Sequence, residues 1–344
     1  MASAAQRVQV LAESGVSHVP PSYVQPPEHR PLAGCRPTFS GVPLVDLRCS
    51  GDDVRWAIGE ACRNWGVFQV IGHGVPSELL VSMRQVGAAF FSLPTEERNK
   101  FACDPKVPAS EGYGSRMLAS ENDGVLDWRD YFDHHTLPES RRKPDRWPTY
   151  PPNYRKVVVE YSDQMKLLAQ RLLHLMSESL GLPSSYIEDA VGEAYQNITI
   201  SYYPPCPQPD LVLGLQAHSD MGAVTLLIQD DVGGLEALKG EEWINVQPTS
   251  DAIVVILGDQ TEVMTNGVYK SAVHRAIVNS RQARLSVATF YDPSKQKRIS
   301  AAPMLVSESS PIRYRDVLYG DYVSAWYGKG PDGKRNIDAL RINQ

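Results

Sequence analysis

Apolar residues recur at helical spacing in the first half of the chain and at strand spacing in the second. Residues 6–14 carry enough periodicity for a short helix. Residues 53–65 place Ala57, Ile58, Ala61 and Cys62 on one face, with Ser50 or Asp52 available as a cap. The same spacing predicts helices over 77–91 and about 153–180. Two strands are expected among them, 42–47 with Pro43 near its start and 66–71 closed by Gly72-His73-Gly74. The proline-rich stretch 20–31 reads as extended chain, and 104–150 reads as irregular.

Beyond Tyr195 the texture changes to short β-rich runs at 198–203, 211–217, 223–228, 243–246, 252–257, 271–279 and 285–291. Turn signals separate them: Pro204-Pro205, residues 220–222, Gly233-Gly234, Gly258-Asp259 and Asn266-Gly267. Many short strands at such spacing predict a sandwich or barrel. The expected class is mostly β with flanking helices. Its parts are a helical region with contributing strands at 1–195, a double-sheet core at 196–300 and a C-terminal strand with a helical tail at 301–344.

Composition changes this picture little. The 344 residues are 42% apolar and 22% charged, ordinary for a globular chain that needs no disulfide or structural metal to fold. With 34 basic against 40 acidic residues, the net charge is −6 and no basic stripe stands out, which argues against nucleic-acid binding. The five cysteines (Cys35, Cys49, Cys62, Cys103 and Cys206) are odd in number, widely spaced and without a CxxC, as in a reducing compartment. The first residues lack a long apolar run and carry Glu13, and no stretch of about 18 apolar residues occurs, so neither a secretory signal nor a membrane span is expected. The expectation is a cytoplasmic monomer.

The chemistry lies in two short patterns. His218-Ser219-Asp220 ends a predicted strand, where residues i and i+2 point the same way, so an imidazole and a carboxylate meet one point. His274, inside the later run 271–279, is the candidate third ligand. Two imidazoles and one carboxylate on one face of an octahedral ion leave three open positions, the facial arrangement of non-haem iron(II) oxygenases. A His-x-Asp pair alone is common and weak evidence. Adjacent His134 and His135 would face opposite sides of a strand and are poor joint ligands, while His73 reads as structural.

Ten residues after His274, Arg284 and Ser286 again share one face. A guanidinium fork plus a hydroxyl suits a carboxylate. A dicarboxylate such as 2-oxoglutarate could chelate iron by its oxo-acid end and reach Arg284, Ser286 and Tyr203 with the other. Alternatives stay open at this point. They are an iron oxidase that needs no 2-oxoglutarate, a non-catalytic metabolite-binding protein, and a zinc hydrolase, in which Arg284 and Ser286 have no task.

The chain resembles the plant 2-oxoglutarate- and Fe(II)-dependent dioxygenases of the small-molecule class, which include anthocyanidin synthase, flavonol synthase, flavanone 3-hydroxylase and hormone oxidases. The blocks that carry the resemblance run the length of the chain. They are VPLVDL (42–47), WGVFQVIGHGV (65–75), FFSLPTEERNKF (90–101), GYGS (112–115), WRDYFDH (128–134), SYYPPCPQPDL (201–211), GLQAHSDMGAVTLLIQDDVGGLE (214–236) and the long block at 258–293. The resemblance implies a double-stranded β-helix (jelly-roll) core, iron at His218, Asp220 and His274, and 2-oxoglutarate at Arg284, Ser286 and Tyr203. It implies dioxygen as co-substrate, ascorbate as reductant, and hydroxylation or desaturation of a flavonoid-type phenolic or a hormone. Phe290 and Phe132 fall where an aromatic substrate would pack, with Thr199 nearby. The family usually has Asn-Tyr-Tyr where this chain has Ser201-Tyr202-Tyr203, so Ser201 stands at a position that helps to seat the oxo acid. Arg116 and Arg129 are the nearby basic candidates for an acidic substrate.

Overall fold

The computed structural model describes residues 7–31, 41–104, 107, 110–115, 124–329 and 336–342. Cys35 and Arg116 lie outside them. Among the described residues the elements run in chain order α1 (Val8–Glu13), β1 (Leu44–Asp46), α2 (Gly51–Asn64), β2 (Val67–Ile71), α3 (Ser77–Phe91), α4 (Thr95–Asn99), β3 (Gly112–Gly114) and β4 (Asp130–Leu137). They continue as α5 (Tyr154–Ser179), α6 (Tyr186–Val191), β5 (Tyr195–Tyr203), β6 (Leu215–His218), β7 (Val224–Gln229), β8 (Leu235–Lys239), β9 (Glu242–Asn245) and β10 (Ile253–Leu257). Last come α7 (Asp259–Met264), β11 (His274–Ala276), β12 (Arg284–Asp292), β13 (Arg298–Ile299), β14 (Val317–Leu318) and α8 (Tyr319–Lys329). None of these helices is long and apolar enough to cross a membrane.

Two facing sheets form the core. The large one has the order β1-β2-β10-β7-β12-β5-β4-β3, and the small one β6-β11-β8-β9. From β5 to β12 the chain passes repeatedly between the two sheets, which is the double-stranded β-helix that the sequence led us to expect. β1 and β2 pair in parallel, while the other neighbours in both sheets are antiparallel. Strands that precede residue 195 thus share a sheet with strands that follow it.

The two faces of the large sheet have different tasks, and period-two alternation separates them. On the outer face Phe68, Val70, Phe132, Ile198, Ile200, Val224, Leu226, Val255, Leu285, Val287 and Tyr291 pack with Met83, Phe90 from α3 and Val158, Tyr161, Met165 and Leu172 from α5. Each such fully buried apolar side chain contributes about 1.5–3 kcal/mol. Inside the barrel, Val67, Leu227, Val254 and Ile256 meet Leu235, Ala237, Val246 and Ala272 from the small sheet and its flanks. A third cluster seals one end. Val8 and Leu11 of α1 join Val19, Tyr23, Trp128, Tyr203, Cys206, Val212, Ala276 and Val278. α1 is docked there by buried Asp130, whose carboxylate accepts the Val8 and Gln9 N–H groups at 2.9 and 3.0 Å.

Several expectations need correction. The stretch 104–150 is not irregular, because it contains β3 and the eight-residue β4 in the large sheet. Its polar alternation, Asp130, Asp133, His134 and His135, hides a strand whose neighbours satisfy those groups. The proline-rich stretch holds two 3-10 turns, Pro21–Tyr23 and Pro27–His29. The run 271–279 contributes only His274–Ala276 as strand, and Leu235–Lys239 and the helix Asp259–Met264 were not anticipated. Ser50 precedes α2 but makes no side-chain cap, since its hydroxyl donates to Asp53 instead.

His134 lies on the outer face of β4, where the Ile198 carbonyl accepts from Nδ1 (2.9 Å) and the Tyr154 hydroxyl meets Nε2 at 3.0 Å. Burial pushes its pKa down to about 4, against the opposing pull of the Ile198 carbonyl. Unfolded, the ring titrates near pH 6.5. The folded state therefore excludes a proton that the unfolded chain binds, so this residue's share of stability is full above about pH 6.5 and is lost as the pH falls toward 4. The stability difference between the native protein and His134→Gln, read by urea unfolding, should shrink by roughly 3 kcal/mol across that window. A difference that stays constant with pH would contradict this account.

Candidate iron and oxo-acid site

His218 closes β6 and His274 opens β11, and the two residues are direct cross-strand partners in the small sheet. Their rings are 4.3 Å apart between centroids. The Gln216 carbonyl takes Nδ1 of His218 at 2.8 Å, and the Ala272 carbonyl takes Nδ1 of His274 at 3.1 Å. A carbonyl only accepts, so in each ring Nδ1 carries the proton and Nε2 keeps a free lone pair. Both Nε2 atoms face the same carboxylate oxygen, Oδ1 of Asp220, at 3.5 and 3.7 Å. The other oxygen, Oδ2, accepts the Thr225 hydroxyl at 2.6 Å. The ligand-capable atoms of the three buried residues lie within 4.8 Å of one another, the one such group among the described residues.

Three acceptors converge here with no donor between them, which is repulsive unless a cation sits at the centre. This donor set, two neutral imidazoles and a carboxylate, fits a divalent first-row metal with open positions. Electrostatics agree. Burial alone would raise the Asp220 pKa, but positive charge on His274 and His218 when those rings are protonated, with the Thr225 hydroxyl, outweighs it and brings it down to about 2. Burial lowers His274 to about 4, despite the Asp220 carboxylate, so the ring is neutral at physiological pH.

A fully buried helix fixes this geometry. The backbone N–H of Asp259 in α7 donates to the Asp220 carbonyl at 2.8 Å, and that of Gln260 to the Gly222 carbonyl at 3.0 Å. At the other side of α7, the Glu262 carboxylate accepts the Ser271 N–H at 2.7 Å and the Tyr314 hydroxyl at 2.5 Å. Ser271 begins the approach to His274, so one helix anchors both loops that deliver the candidate ligands. The packing is tight enough to require glycine. A Cβ on Gly222 would strike the Asp292 carboxylate, and one on Gly258 would strike the Gly222 backbone.

Across the barrel, even-numbered β12 residues and odd-numbered β5 residues face inward. Arg284 pairs with Tyr203, Ser286 with Ser201 and Ala288 with Thr199. The Arg284 guanidinium lies 4.8 Å from the Tyr203 ring and donates to Ser286 Oγ and Gln229 Oε1, each at 3.3 Å. It is 2% exposed. Burial would raise the Tyr203 pKa, but Arg284, Arg129 and the Ser286 and Ser201 hydroxyls together lower it. Tyr203 is therefore a strong donor in a cationic chamber.

Residues 194–293 match the 2OG-Fe(II) oxygenase superfamily, and 42–154 match the family described as non-haem dioxygenase in morphine synthesis N-terminal. Jasmonate-induced oxygenase 4 of Arabidopsis thaliana is 37% identical, over 98% of this chain and 97% of that protein. The chain belongs to the 2OG-Fe(II) oxygenase superfamily. Flavanone 3-dioxygenase 2 of Oryza sativa subsp. japonica is likewise 37% identical, over 99% of both proteins. The crystal structure of JOX2 in complex with 2OG, Fe and JA superposes with a TM-score of 0.91 at 37% identity over 98% of each chain. This oxygenase is an Fe(II)- and 2-oxoglutarate-dependent dioxygenase.

The expected pocket residues divide. Thr199 and Phe290 share the inner face, and Phe290 pairs with Thr225, which bonds Asp220. Phe132 does not join them. It points outward and is enclosed edge-on by Phe90 at 5.0 Å and by Tyr154 at 6.4 Å between centroids. Its place as a pocket residue is corrected to a core residue, because the register of β4 against β5 sets Phe132 opposite Ile200 on the outer face. The residues that sequence reading missed are Tyr131, Asp133 and His135, which pair with Ser201, Thr199 and Asn197. Thr199 donates to Asp133 at 2.8 Å, and burial chiefly pushes Asp133 up to about 7. The period-two rule applied to WRDYFDH would have found them, had 104–150 been recognised as containing a strand.

The Thr225 hydroxyl orients Asp220 and helps to keep it ionised. Thr225→Val is expected to weaken Mn(II) or Fe(II) binding about tenfold or more, as removal of a hydrogen bond behind a ligand does. Calorimetric titration under nitrogen measures it, and an unaltered affinity would show that Asp220 needs no such support.

Proposed function

We propose that His218, Asp220 and His274 hold the Fe(II), and that Arg284, Ser286 and Tyr203, with Ser201 beside them, hold 2-oxoglutarate. The observation that carries the first assignment is the convergence of two imidazole Nε2 atoms and one carboxylate oxygen with no donor among them. The second rests on the buried guanidinium flanked by a hydroxyl and a phenol. A zinc hydrolase would leave that anion grip without work. When bound, the iron supplies the dioxygen chemistry, coupling decarboxylation of the oxo acid to oxidation of a second molecule.

The chain's own residues do the rest. Arg284 and Ser286 fix the far carboxylate and thereby the angle at which the oxo acid meets the metal ligands. Tyr203 donates to the same carboxylate. α1 and its apolar partners close that end of the barrel against water. Thr199, Phe290 and Asp133 line the space left for the substrate, in which a positioned C–H bond rather than a proton-transfer residue decides the outcome.

The substrate is proposed to be a small molecule with an aromatic or hydroxylated face. Phe290 offers a ring for stacking, and the Asp133 carboxylate, already bonded by Thr199, accepts a hydroxyl. Similar proteins carry names that refer to flavanone, flavonol and jasmonate, and a rice structure at 27% identity and TM-score 0.74 is titled a dioxygenase for auxin oxidation. Dioxygen is the oxidant and ascorbate the reductant that sustains turnover.

Purified protein with Fe(II), ascorbate and 2-oxoglutarate should release one succinate per product from a panel of phenolics and hormone acids. Arg284→Ala should need on the order of 100-fold more 2-oxoglutarate, the effect of truncating one member of a buried charge pair. Oxidation of a panel compound without succinate release, or an unchanged 2-oxoglutarate requirement in Arg284→Ala, would overturn the reading.

A further inference from the structure

Two adjacent arginines, Arg141 and Arg142, follow β4 at the 3-10 turn Glu139–Arg141, and they are used differently. Arg142 anchors the turn. Its Nε donates to the Thr136 carbonyl at 3.0 Å, and its Nη2 donates to Ser162 Oγ at 3.1 Å and to the Asp163 carboxylate at 2.6 Å. Arg141 instead lies over the end of the barrel away from Arg284. Its Nη1 donates to the Leu137 carbonyl at 3.2 Å and to Asn197 Oδ1 at 3.5 Å, and its guanidinium lies 4.7 Å from the centre of the Tyr195 ring. None of these partners, among the described residues, is a carboxylate, and none of them uses Nε or Nη2 as a hydrogen-bond donor. Tyr195 and Asn197 continue the inward-facing series of β5 beyond Thr199, and Asn197 is the cross-strand partner of Phe290. The guanidinium is therefore bonded to the immediate neighbour of the proposed stacking ring.

We infer that Arg141 is a specificity-determining residue of the substrate chamber, and that the substrate is a small aromatic acid whose ring stacks on Phe290 while its carboxylate takes the open donors of this guanidinium. A structural arginine closes on an acid, as Arg142 does on Asp163. The acids around Arg141 are committed elsewhere. Asp133 accepts the Thr199 hydroxyl, Glu111 accepts Trp147 Nε1 at 2.7 Å and the His135 N–H at 2.9 Å, and Asp292 lies against Gly222. Burial holds the Arg141 pKa below the ordinary arginine value, although Tyr195, Asp133, Glu111 and Asp292 act the other way. It stays a cation all the same, and a planar fork with two unspent donors suits a carboxylate. Asp133, pushed up to about 7 by burial, carries only part of a negative charge near neutral pH and opposes an incoming carboxylate less than an ordinary acid would. Lys295, whose ammonium lies 5.7 Å from the other contact of Arg141, the Tyr195 ring, adds positive charge at the same end.

This inference rests on the proposal above that the Phe290 side is the substrate chamber, and the experiment separates the two. Indole-3-acetate and 4-hydroxycinnamate are each compared with their primary amides, which keep the ring and the shape and lose the charge. All four are titrated calorimetrically into protein loaded with Mn(II) and 2-oxoglutarate, so that the Arg284 end is already taken. Native protein should bind each acid about tenfold or more tighter than its amide, the worth of a hydrogen bond to a charged group. Arg141→Gln should bring each acid down to its amide, with the amide, Mn(II) and 2-oxoglutarate affinities unchanged. Should Arg141→Gln fail to fold, Asn197→Asp keeps the guanidinium, gives it an acid of its own and should likewise erase the preference. Equal binding of acid and amide by native protein, no binding of either acid, or a preference that survives in the variant overturns the inference. Phe290→Ala should weaken acid and amide alike by about tenfold. If it changes neither, the chamber reading itself fails.

Discussion

Three lone pairs aimed at one point inside a closed barrel set the terms for the rest of this molecule. Nε2 of His218, Nε2 of His274 and Oδ1 of Asp220 repel one another until a cation joins them. Buried polar groups in that condition survive only if the surrounding structure over-determines them. Here the restraints are explicit. Each imidazole is tied at Nδ1 to the carbonyl two residues before it, and the carboxylate is tied at Oδ2 to Thr225. The loops behind them are tied to α7, all six residues of which are buried. A polar helix with no exposed face is an expensive element to place in a core. Its backbone N–H groups and its Glu262 carboxylate are what hold the Asp220 turn and the approach to His274 in register.

The end proposed for the oxo acid follows a different logic. There the cations are supplied by the protein, and what must be prevented is their hydration. The seal is the end cluster built on α1, Tyr23, Trp128 and Val212, which places apolar surface around Tyr203. α1 has only six residues, too short for independent stability. Asp130 compensates by accepting its first two N–H groups, and the Tyr113 hydroxyl (3.1 Å) and the Ser115 hydroxyl (2.5 Å) reach the same carboxylate. Asp130 faces outward on β4 and Arg129, next to it, bonds Ser201. Thus the strand that docks the lid also furnishes the chamber's second cation.

Much of this was legible in the sequence because it obeys local rules. His218 and Asp220, like Arg284 and Ser286, are spaced by two on strands, and that spacing alone brings each pair to one side. What one strand presents to another was not legible. Parity on β4 depends on its register against β5, and its polar residues disguised it as loop, so Phe132 was drawn into the pocket and Asp133 left out. The α7 helix escaped for a related reason. Gly258-Asp259 read as a turn between strands, and only tertiary partners such as Tyr314, Tyr322 and the 220–223 backbone make the burial of Asp259, Gln260, Thr261 and Glu262 affordable. Helix ends and the long amphipathic stretches of α3 and α5 were found within a residue or two, since their apolar stripe is set by one sheet face.

The same sheet serves as core on one side and as reaction chamber on the other, and this constrains how its chemistry can vary. A one-residue slip of β12 would exchange Arg284 and Ser286 for Leu285 and Val287, burying a guanidinium among the helices and placing leucine at the proposed anion site. Register is therefore enforced from both faces at once. Within that frame, the inner positions of Tyr131, Asp133, His135, Thr199 and Phe290 lie beyond the proposed anion grip and bear little of the outer core. Their side chains can change in size and polarity without moving a strand, because the adhesion of the sheet to α3 and α5 resides in the alternate residues. The fold thus separates the adhesion of the sheet to its helices from the chemistry of the chamber, and it does so by nothing more than the period of a β-strand.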